Sequence, residues 1–531
     1  MIQVPRNFPK VEPNLLDKAI TYFNPKWGRE RIAHRTMLAM TGGYTGGRRD
    51  RRATKEWQSS KADADYDILP DLHLLRERSR DLARNNPLAT GAIKTKVTNV
   101  VGTGLKLQSR VDAEFLGMTP DAADKWERTV EREFKVWAES QECDRERTLN
   151  FYGLQRLVLW QMLVNGDVFA LLPYWERSNF PYGTCVQVIE ADRVTNPNWK
   201  IDIPTLAGGV EKDEAGAPIA YHILRRHPGN PTVGQQYQWD RYEAFGATTG
   251  RRNVLHLYPK DRPGQSRGVP DLAPVIEPLK QLGTYSDAEV MAAVVSAMFT
   301  LFVESDFPDG FGPMDPTAET GAKATDSDIK LGNGAIAYLA PGEKVSSPVP
   351  GRPNQAFDPF TMAVLRQIGV GLELPFEVLI KHFTASYSAS RAALLEAWKY
   401  FMTQRNLFAD NFCQMVYEAW LEEAVALGRI AAPGFLNGDI SVRKAYTRAD
   451  WIGPARGQID ELKEVNAAIE RVNAGFSTIE QETEQMNGGN WEDNHRQRVR
   501  EVTMRRDAGL ENPVLPPKGL VMPGEDGKSD E

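Results

Sequence analysis

Apolar residues recur at mixed three- and four-residue spacings through DLHLLRERSRDLARNNPLATGAIKTKVTNVVG (71 to 102), where Leu72, Leu75, Leu82, Leu88, Ile93, Val97 and Val100 align. The pattern predicts two helices starting near Pro70, broken at Asn85-Asn86-Pro87 and ended at Gly102. Trp126, Val130, Phe134 and Trp137 predict a third helix from Pro120, and a fourth runs from about Phe151 to Asn165. From Gly166 to Pro259 the period shortens to β-rich runs separated by turns: DVFALLPYW, TCVQVIEADRVTN, AYHILRR, QQYQWD and NVLHLY. Alternation such as Val186 and Val188 around Gln187 fits a half-buried antiparallel sheet or small barrel.

Helical spacing returns after Pro278 for about 20 residues. Residues 303 to 356 are rich in Gly and Pro, with a candidate strand at Ala335 to Leu339, and are followed by a short helix over 359 to 369. After the polar run from Lys381 to Ser388, a long helix is predicted from Ser390 to about Leu427. Its stripe of Leu394, Trp398, Phe401, Phe408, Phe412, Met415 and Ala419 is broken only by Arg405. Three shorter helices follow. Pro454 opens the first and Gly475 ends it, Ser477 with Glu480 has capping-box spacing for the second, and Asn490 with Asp493 starts the third, which ends near Gly509. Four prolines and an acidic end beyond Asn512 indicate a disordered tail.

The chain has 531 residues with 64 Lys/Arg, 71 Asp/Glu and a net charge of −7. Residues 1 to 60 carry 12 Lys/Arg against 5 Asp/Glu, so a basic arm precedes a body of charge −14. This arm, with two glycine pairs and the cluster Arg48, Arg49, Arg51 and Arg52, is expected to be flexible. The arginines could contact nucleic acid or lie over an acidic neighbour. An acidic body disfavours tight, extensive DNA binding, whose affinity comes from cations displacing counterions. The insertion from Leu301 to Asp358 is also acidic, with nine Asp/Glu and four Lys/Arg.

The longest apolar run, Val290 to Phe302, has 13 residues and reads as a buried helix rather than a membrane span. The first 30 residues lack the apolar core of a secretory signal. Cys143, Cys185 and Cys413 are too scattered for a disulfide framework or zinc ribbon and suit a reducing compartment.

Motifs for catalysis are missing. The sequence has no GxxxxGK[ST], HExxH, GxSxG or CxxC, and Gly102-Thr103-Gly104 reads as a helix cap. Seven histidines are dispersed, and Arg225-Arg226 between His222 and His227 disfavour a cation there. Glu190, Asp192 and Asp202 could converge as a metal-dependent nuclease site, while Cys413 reads as a packing residue. The expectation is a structural or binding protein, with no enzyme activity, cofactor or metal.

Five segments then carry a family resemblance: LLRERSRDLARNNPLATGAI (74 to 93), VVGTGL (100 to 105), YPKDRPGQSRGVPDLAPVIEPLKQL (258 to 282), LPFEVLIKHFTASYSASRAALLEAW (374 to 398) and DWIGPARGQIDELKEVNAAIERVNAGFSTIEQE (450 to 482). In this order, over roughly residues 60 to 510, the chain resembles the portal proteins of lambda-like tailed bacteriophages.

The resemblance implies a predominantly helical α+β fold with wing, stem, clip and crown regions, assembling into a ring, usually of twelve subunits. Its parts are the basic arm (1 to 60), a wing (61 to 271) with its β-rich subdomain (166 to 259), a stem helix (272 to 299), and the clip (300 to 357). A second stem helix (358 to 380), a tunnel loop (381 to 389), the long helix and return to the wing (390 to 450), a helical crown (451 to 510) and the tail (511 to 531) complete it. Portals of this family sit at the unique capsid vertex of the virion, after assembly in the host cytoplasm. They conduct double-stranded DNA without sequence specificity during packaging and ejection, and meet the terminase large subunit, the major capsid and scaffold proteins, and the head-tail completion proteins. The tunnel loop places Lys381, His382, Phe383, Thr384, Ser386, Tyr387 and Ser388 toward DNA, and no membrane is involved. Two alternatives compete: a metal-dependent DNA-processing enzyme, motivated by the acids and the basic arm, and a membrane-associated scaffold, motivated by Val290 to Phe302.

Overall fold

The computed structural model describes residues 13–40, 52–54, 56–230, 237–297, 302–305, 343–346, 354, 356–383, 386–437, 439–457 and 460–510. The chain divides into two units, residues 1–63 and 64–531. The first unit was expected to be loop, yet it contains two packed helices, α1 (Leu15–Phe23) and α2 (Pro25–Met40). Asn14 and Asp17 form a capping box at α1. The buried Asp17 carboxylate also accepts from Arg31 Nε at 3.0 Å and pairs with Arg35, so one acid caps α1 and ties α2 to it. Gly28 lets the helices close, since a Cβ there would lie 2.2 Å from Thr21 Oγ1.

The second unit begins with α3 (Ala64–Asn85) and α4 (Pro87–Val100), broken at Asn86 as the spacing predicts. Asn86 Oδ1 accepts from the N–H groups of Leu88 and Ala89, and Pro87 occupies a first-turn position that has no N–H to satisfy. Gly102, at φ 60°, donates its N–H to Val97 O and ends the helix, so the Gly102-Thr103-Gly104 segment is a cap. Helix α3 starts six residues before Pro70. Asp65 in its first turn is held by the Ser266 N–H at 2.7 Å and Lys212 at 3.0 Å, tertiary contacts that local sequence cannot reveal.

Strand β1 (Lys106–Ser109) precedes α5 (Pro120–Glu139) and α6 (Phe151–Asn165), both where expected. Phe134 of α5 is the centre of a buried aromatic cluster that includes Trp137, Phe151, Tyr417, Trp420 and Trp451. The β-rich stretch forms two antiparallel sheets rather than a barrel. One has β2 (Val168–Leu171) between β3 (Gln187–Ile189) and β8 (Val254–Leu257). The other orders β4 (Leu206–Ala207), β5 (Val210–Lys212), β6 (Pro218–Leu224) and β7 (Trp239–Glu243) consecutively. Phe169, Tyr221, Ile223 and Val254 belong to their shared small core.

Helix α7 (Ile276–Ala297) leads to an antiparallel pair, β9 (Phe302–Ser305) with β10 (Glu343–Ser346), and α8 (Phe357–Gly371) returns. The candidate strand at 335 to 339 lies outside the described residues, as does the 511 to 531 tail. Helices α9 (Phe376–Ile380), α10 (Tyr387–Phe408) and α11 (Gln414–Ala426) follow, the last two joined through a π-helical turn, Ala409–Cys413. The continuous helical rod is thus about 60 Å long at 1.5 Å per residue. Arg405 interrupts its apolar stripe for a reason: Nε donates to Val100 O at 2.9 Å, and Nη2 donates to Asn99 O and Pro454 O at 2.8 Å each. Two of those carbonyls belong to the C-terminal turn of α4, where no intrahelical donor exists.

The chain closes with α12 (Ile440–Thr447), β11 (Ala449–Ile452) paired to β1, α13 (Glu461–Asn473), α14 (Ile479–Asn487) and α15 (Trp491–Asp507). Two starts differ from expectation. Helix α13 begins at Glu461 with Asp460 as cap, and Pro454 instead lies ahead of the helix, its carbonyl accepting from Arg405. The capping box of α14 is Thr478 with Gln481, one residue beyond Ser477 with Glu480.

Candidate functional site

The polar turn expected at 381 to 389 is shorter in the structure, because Ser386 caps α10 and Tyr387 and Ser388 are already helical. Lys381 ends α9 in the left-handed conformation, φ 56° and ψ 37°, and His382 donates its N–H to Glu377 O at 3.1 Å. Lys381, His382, Phe383, Ser386 and Ser388 are exposed around this turn. Thr384 and the Tyr387 side chain lie outside the described residues, as do Arg48, Arg49 and Arg51; Arg52 is exposed in a short turn.

The turn stands on a rigid base. Val378 and Leu379 are buried beneath it, and Arg366 lies 5.3 Å from the centre of the Phe376 ring. Under the adjoining part of α10, Lys96 Nζ donates to Asp271 at 2.8 and 3.1 Å and to Tyr400 Oη at 3.0 Å. Burial by itself would lower the Lys96 pKa, but Asp271 and Tyr400 outweigh it and hold the ammonium above its ordinary value. The sequence reading missed Lys96. Its signal was a charged residue three after Ile93 and four before Val100, inside the apolar register of α4.

Helices α7 and α8 pack through Tyr285 against Phe357 and Phe360, with Asn354 Nδ2 donating to Tyr285 Oη at 3.2 Å. Further along α7, Val290 and Met291 are 64% and 63% exposed and Val294 is also open. This region was expected to be buried, and within one chain it is uncovered.

A second polar centre lies between the β-sheets and α3. Asp167 is completely buried, with Arg267 Nε at 2.6 Å, Arg76 Nη2 at 2.7 Å, His256 Nε2 at 3.3 Å and the Gly268 N–H at 3.2 Å. Burial would raise its carboxyl, but Arg267 and Arg76 hold it well below the usual carboxylate range. At the edge of this network, ligand atoms of Glu190, Asp192 and His227 lie within 4.8 Å of one another. Arg80 pairs with both Glu190 and Asp192, and Arg76 faces Asp192 at 3.6 Å, so the chain's own guanidinium groups already balance these acids. Asp202 is elsewhere, accepting from Asn196 Nδ2 and the Gly208 N–H at 2.8 Å each. Of the three acids weighed as a nuclease site, Glu190 and Asp192 therefore come together, beside His227, while Asp202 does not join them. His222 pairs with Glu211 at 3.0 Å rather than with His227.

All three cysteines are buried, and burial pushes the Cys143 and Cys413 thiols up, the opposite of nucleophile activation. Among the described residues, no helix is long and apolar enough to cross a membrane.

Comparison with known proteins gives a consistent result. Residues 50–405 match the family model for phage portal proteins of the lambda family. The chain is 29% identical over 520 residues to portal protein B of Escherichia phage lambda, covering 93% of this chain and 96% of that protein. It is 28% identical over 502 residues to the portal protein of Escherichia phage N15, covering 90% and 93%. Among solved structures, a chain in the neck of a native gene transfer agent particle is similar at 14% identity and a TM-score of 0.40, over 78% of this chain and 92% of that one.

Proposed function

This chain belongs to the lambda family of phage portal proteins, and from that premise we propose that copies of it close into a ring whose channel wall includes the turn at residues 381 to 386. The observation that carries the reading is the uncovered apolar face of α7. Val290, Met291 and Val294 cannot remain in water without cost, and adjacent copies of the same helix cover them when a heterologous interface closes. The acidic body suits a conduit, because a repulsive lining avoids the many phosphate contacts that would hold a sliding duplex. Lys381 and His382 are the cationic exceptions. Presented on a turn rather than in a groove-reading helix, they suit brief phosphate contact without base readout.

In the virion the ring would occupy the unique capsid vertex, with assembly in the host cytoplasm. The acidic segment from 300 to 357 is assigned as the clip that docks the terminase large subunit and later the head-tail completion proteins. The outer wing is assigned to the major capsid and scaffold proteins. The role is structural rather than enzymatic.

Native mass spectrometry of the purified protein tests the ring directly: closed oligomers are expected, and monomers at every salt and protein concentration would overturn the reading. In packaging assays, Lys381→Ala with His382→Ala should alter DNA translocation or retention while ring formation persists; unchanged behaviour would remove the turn from the channel wall. Deleting residues 306 to 342 should abolish terminase binding if the clip assignment holds.

A further inference from the structure

We propose that the C-terminal half of α15 docks onto a second copy of this chain, seating its Val499–Val502 ridge in the groove between α13 and α14 of the neighbouring subunit. This inference rests on the ring reading above. Arg496 is the last partly buried residue of α15, with Nη1 3.5 Å from Asp124 of α5. From Gln497 to Leu510 every residue is exposed. An isolated helical end of this length is marginal in water, and Val499, Val502 and Thr503 are β-branched residues that weaken it further. Val499 and Val502, three residues apart, share one face, so the exposed half of α15 presents an apolar ridge that the described residues leave bare.

The groove has matching character. A cavity of about 380 Å³ is lined by Val465, Ile469, Val472, Ile479 and Met486, with Ile469 and Ile479 each 51% exposed. Glu482 on its wall is locked by two hydrogen bonds from Arg471 at 2.7 and 2.6 Å, which fixes α14 against α13. No residue of α15 lines this groove. The turn at Gly488–Asn490 instead sends α15 onto α5.

Charge selects the occupant. Residues 496–506 carry five Arg and one Glu, a net +4, whereas α13 and α14 together carry six Asp/Glu and two Lys/Arg, a net −4. Alternating Arg498 and Arg500 flank Val499, so cations meet the acidic walls as the valines enter the groove. Duplex DNA could use the arginines but would leave Val499, Val502 and the groove uncovered.

The test uses full-length protein carrying Val502→Cys together with Ile469→Cys, oxidised under native conditions. The three native cysteines are buried and so leave the introduced pair as the reporter. A reducible ladder reaching beyond the dimer on a denaturing gel is expected, with neither single substitution giving one. A cross-link confined to monomer mass, or none, in protein that native mass spectrometry shows as rings would overturn this inference and leave the ring reading intact. If the unsubstituted protein forms no rings, both fall. Arg498→Glu with Arg505→Glu should reduce the ladder several-fold. Salt-sensitive loss of duplex DNA binding in that variant, with the ladder unchanged, would assign α15 to DNA and refute the docking.

Discussion

Lys96 Nζ lies 2.8 Å from Asp271 Oδ2, but the partners are unequally buried: the lysine side chain is 1% exposed and the aspartate 24%. This inequality predicts opposite tolerance at the two ends. Asp271→Ala leaves an ammonium in the interior with only Tyr400 as partner and should cost about 3–5 kcal/mol. Lys96→Met keeps the volume and leaves a carboxylate that water can reach, for about 1–2 kcal/mol. Urea unfolding of both variants measures the difference, and a Lys96→Met variant as unstable as Asp271→Ala would contradict it.

The Asp167 centre makes a related prediction. Asp167→Asn keeps the shape but removes the charge that Arg76 and Arg267 share, leaving two buried guanidinium groups repelling each other. A loss of about 3–5 kcal/mol is expected, because the cost of uncompensated buried charge exceeds that of a lost hydrogen bond. Arg80→Ala, at the more open rim of the same network, should cost under about 1 kcal/mol. Thermal unfolding at one pH compares the two.

Much of this architecture was legible because periodicity and caps are local. The N-caps Asn86, Thr119 and Asn150 each mark a helix start by accepting from N–H groups of their own first turn. What escaped depends on distant partners. Lys96 and Arg405 look like breaks in apolar stripes until Asp271, 175 residues away, and Val100, 305 residues away, meet them. The α1–α2 pair was missed because α2 lacks an apolar stripe, and its packing rests on the buried Asp17 carboxylate and the close approach at Gly28. The turn at 381 was placed by resemblance to a family pattern, and its end moved because Ser386 is a helix cap.

Glu131 gives the chain a pH dependence near neutrality. Burial pushes its carboxyl up to about 7, and Asp493, Glu127 and Glu492 add to the rise against the Ser109 N–H, which donates to it at 2.9 Å. The unfolded carboxyl ionises near 4.5, so between that pH and about 7 the folded state holds the extra proton, and stability falls as pH rises through this window. Glu131→Gln should remove that slope and, at pH 8, stabilise the protein by on the order of 1–2 kcal/mol after allowing for partial exposure. Equal pH slopes for the two proteins between pH 5 and 7.5 would rule out Glu131 as the source.

Lys381 separates backbone from charge at the polar turn. Its φ of 56° strains any residue with a Cβ by roughly 1 kcal/mol, and glycine relieves that strain. Lys381→Gly should therefore raise the unfolding midpoint, whereas Lys381→Val should lower it, since a β-branched residue fits the left-handed region worst. Both substitutions remove the same cation. If the lysine acts through its charge, the two variants should change DNA translocation alike despite their opposite effects on stability. If it acts only as a helix terminator, Lys381→Gly should translocate DNA like the unsubstituted ring. Unfolding midpoints and packaging rates measured on the same preparations distinguish these cases, and a packaging defect that followed stability across the two variants would withdraw the charge from the mechanism.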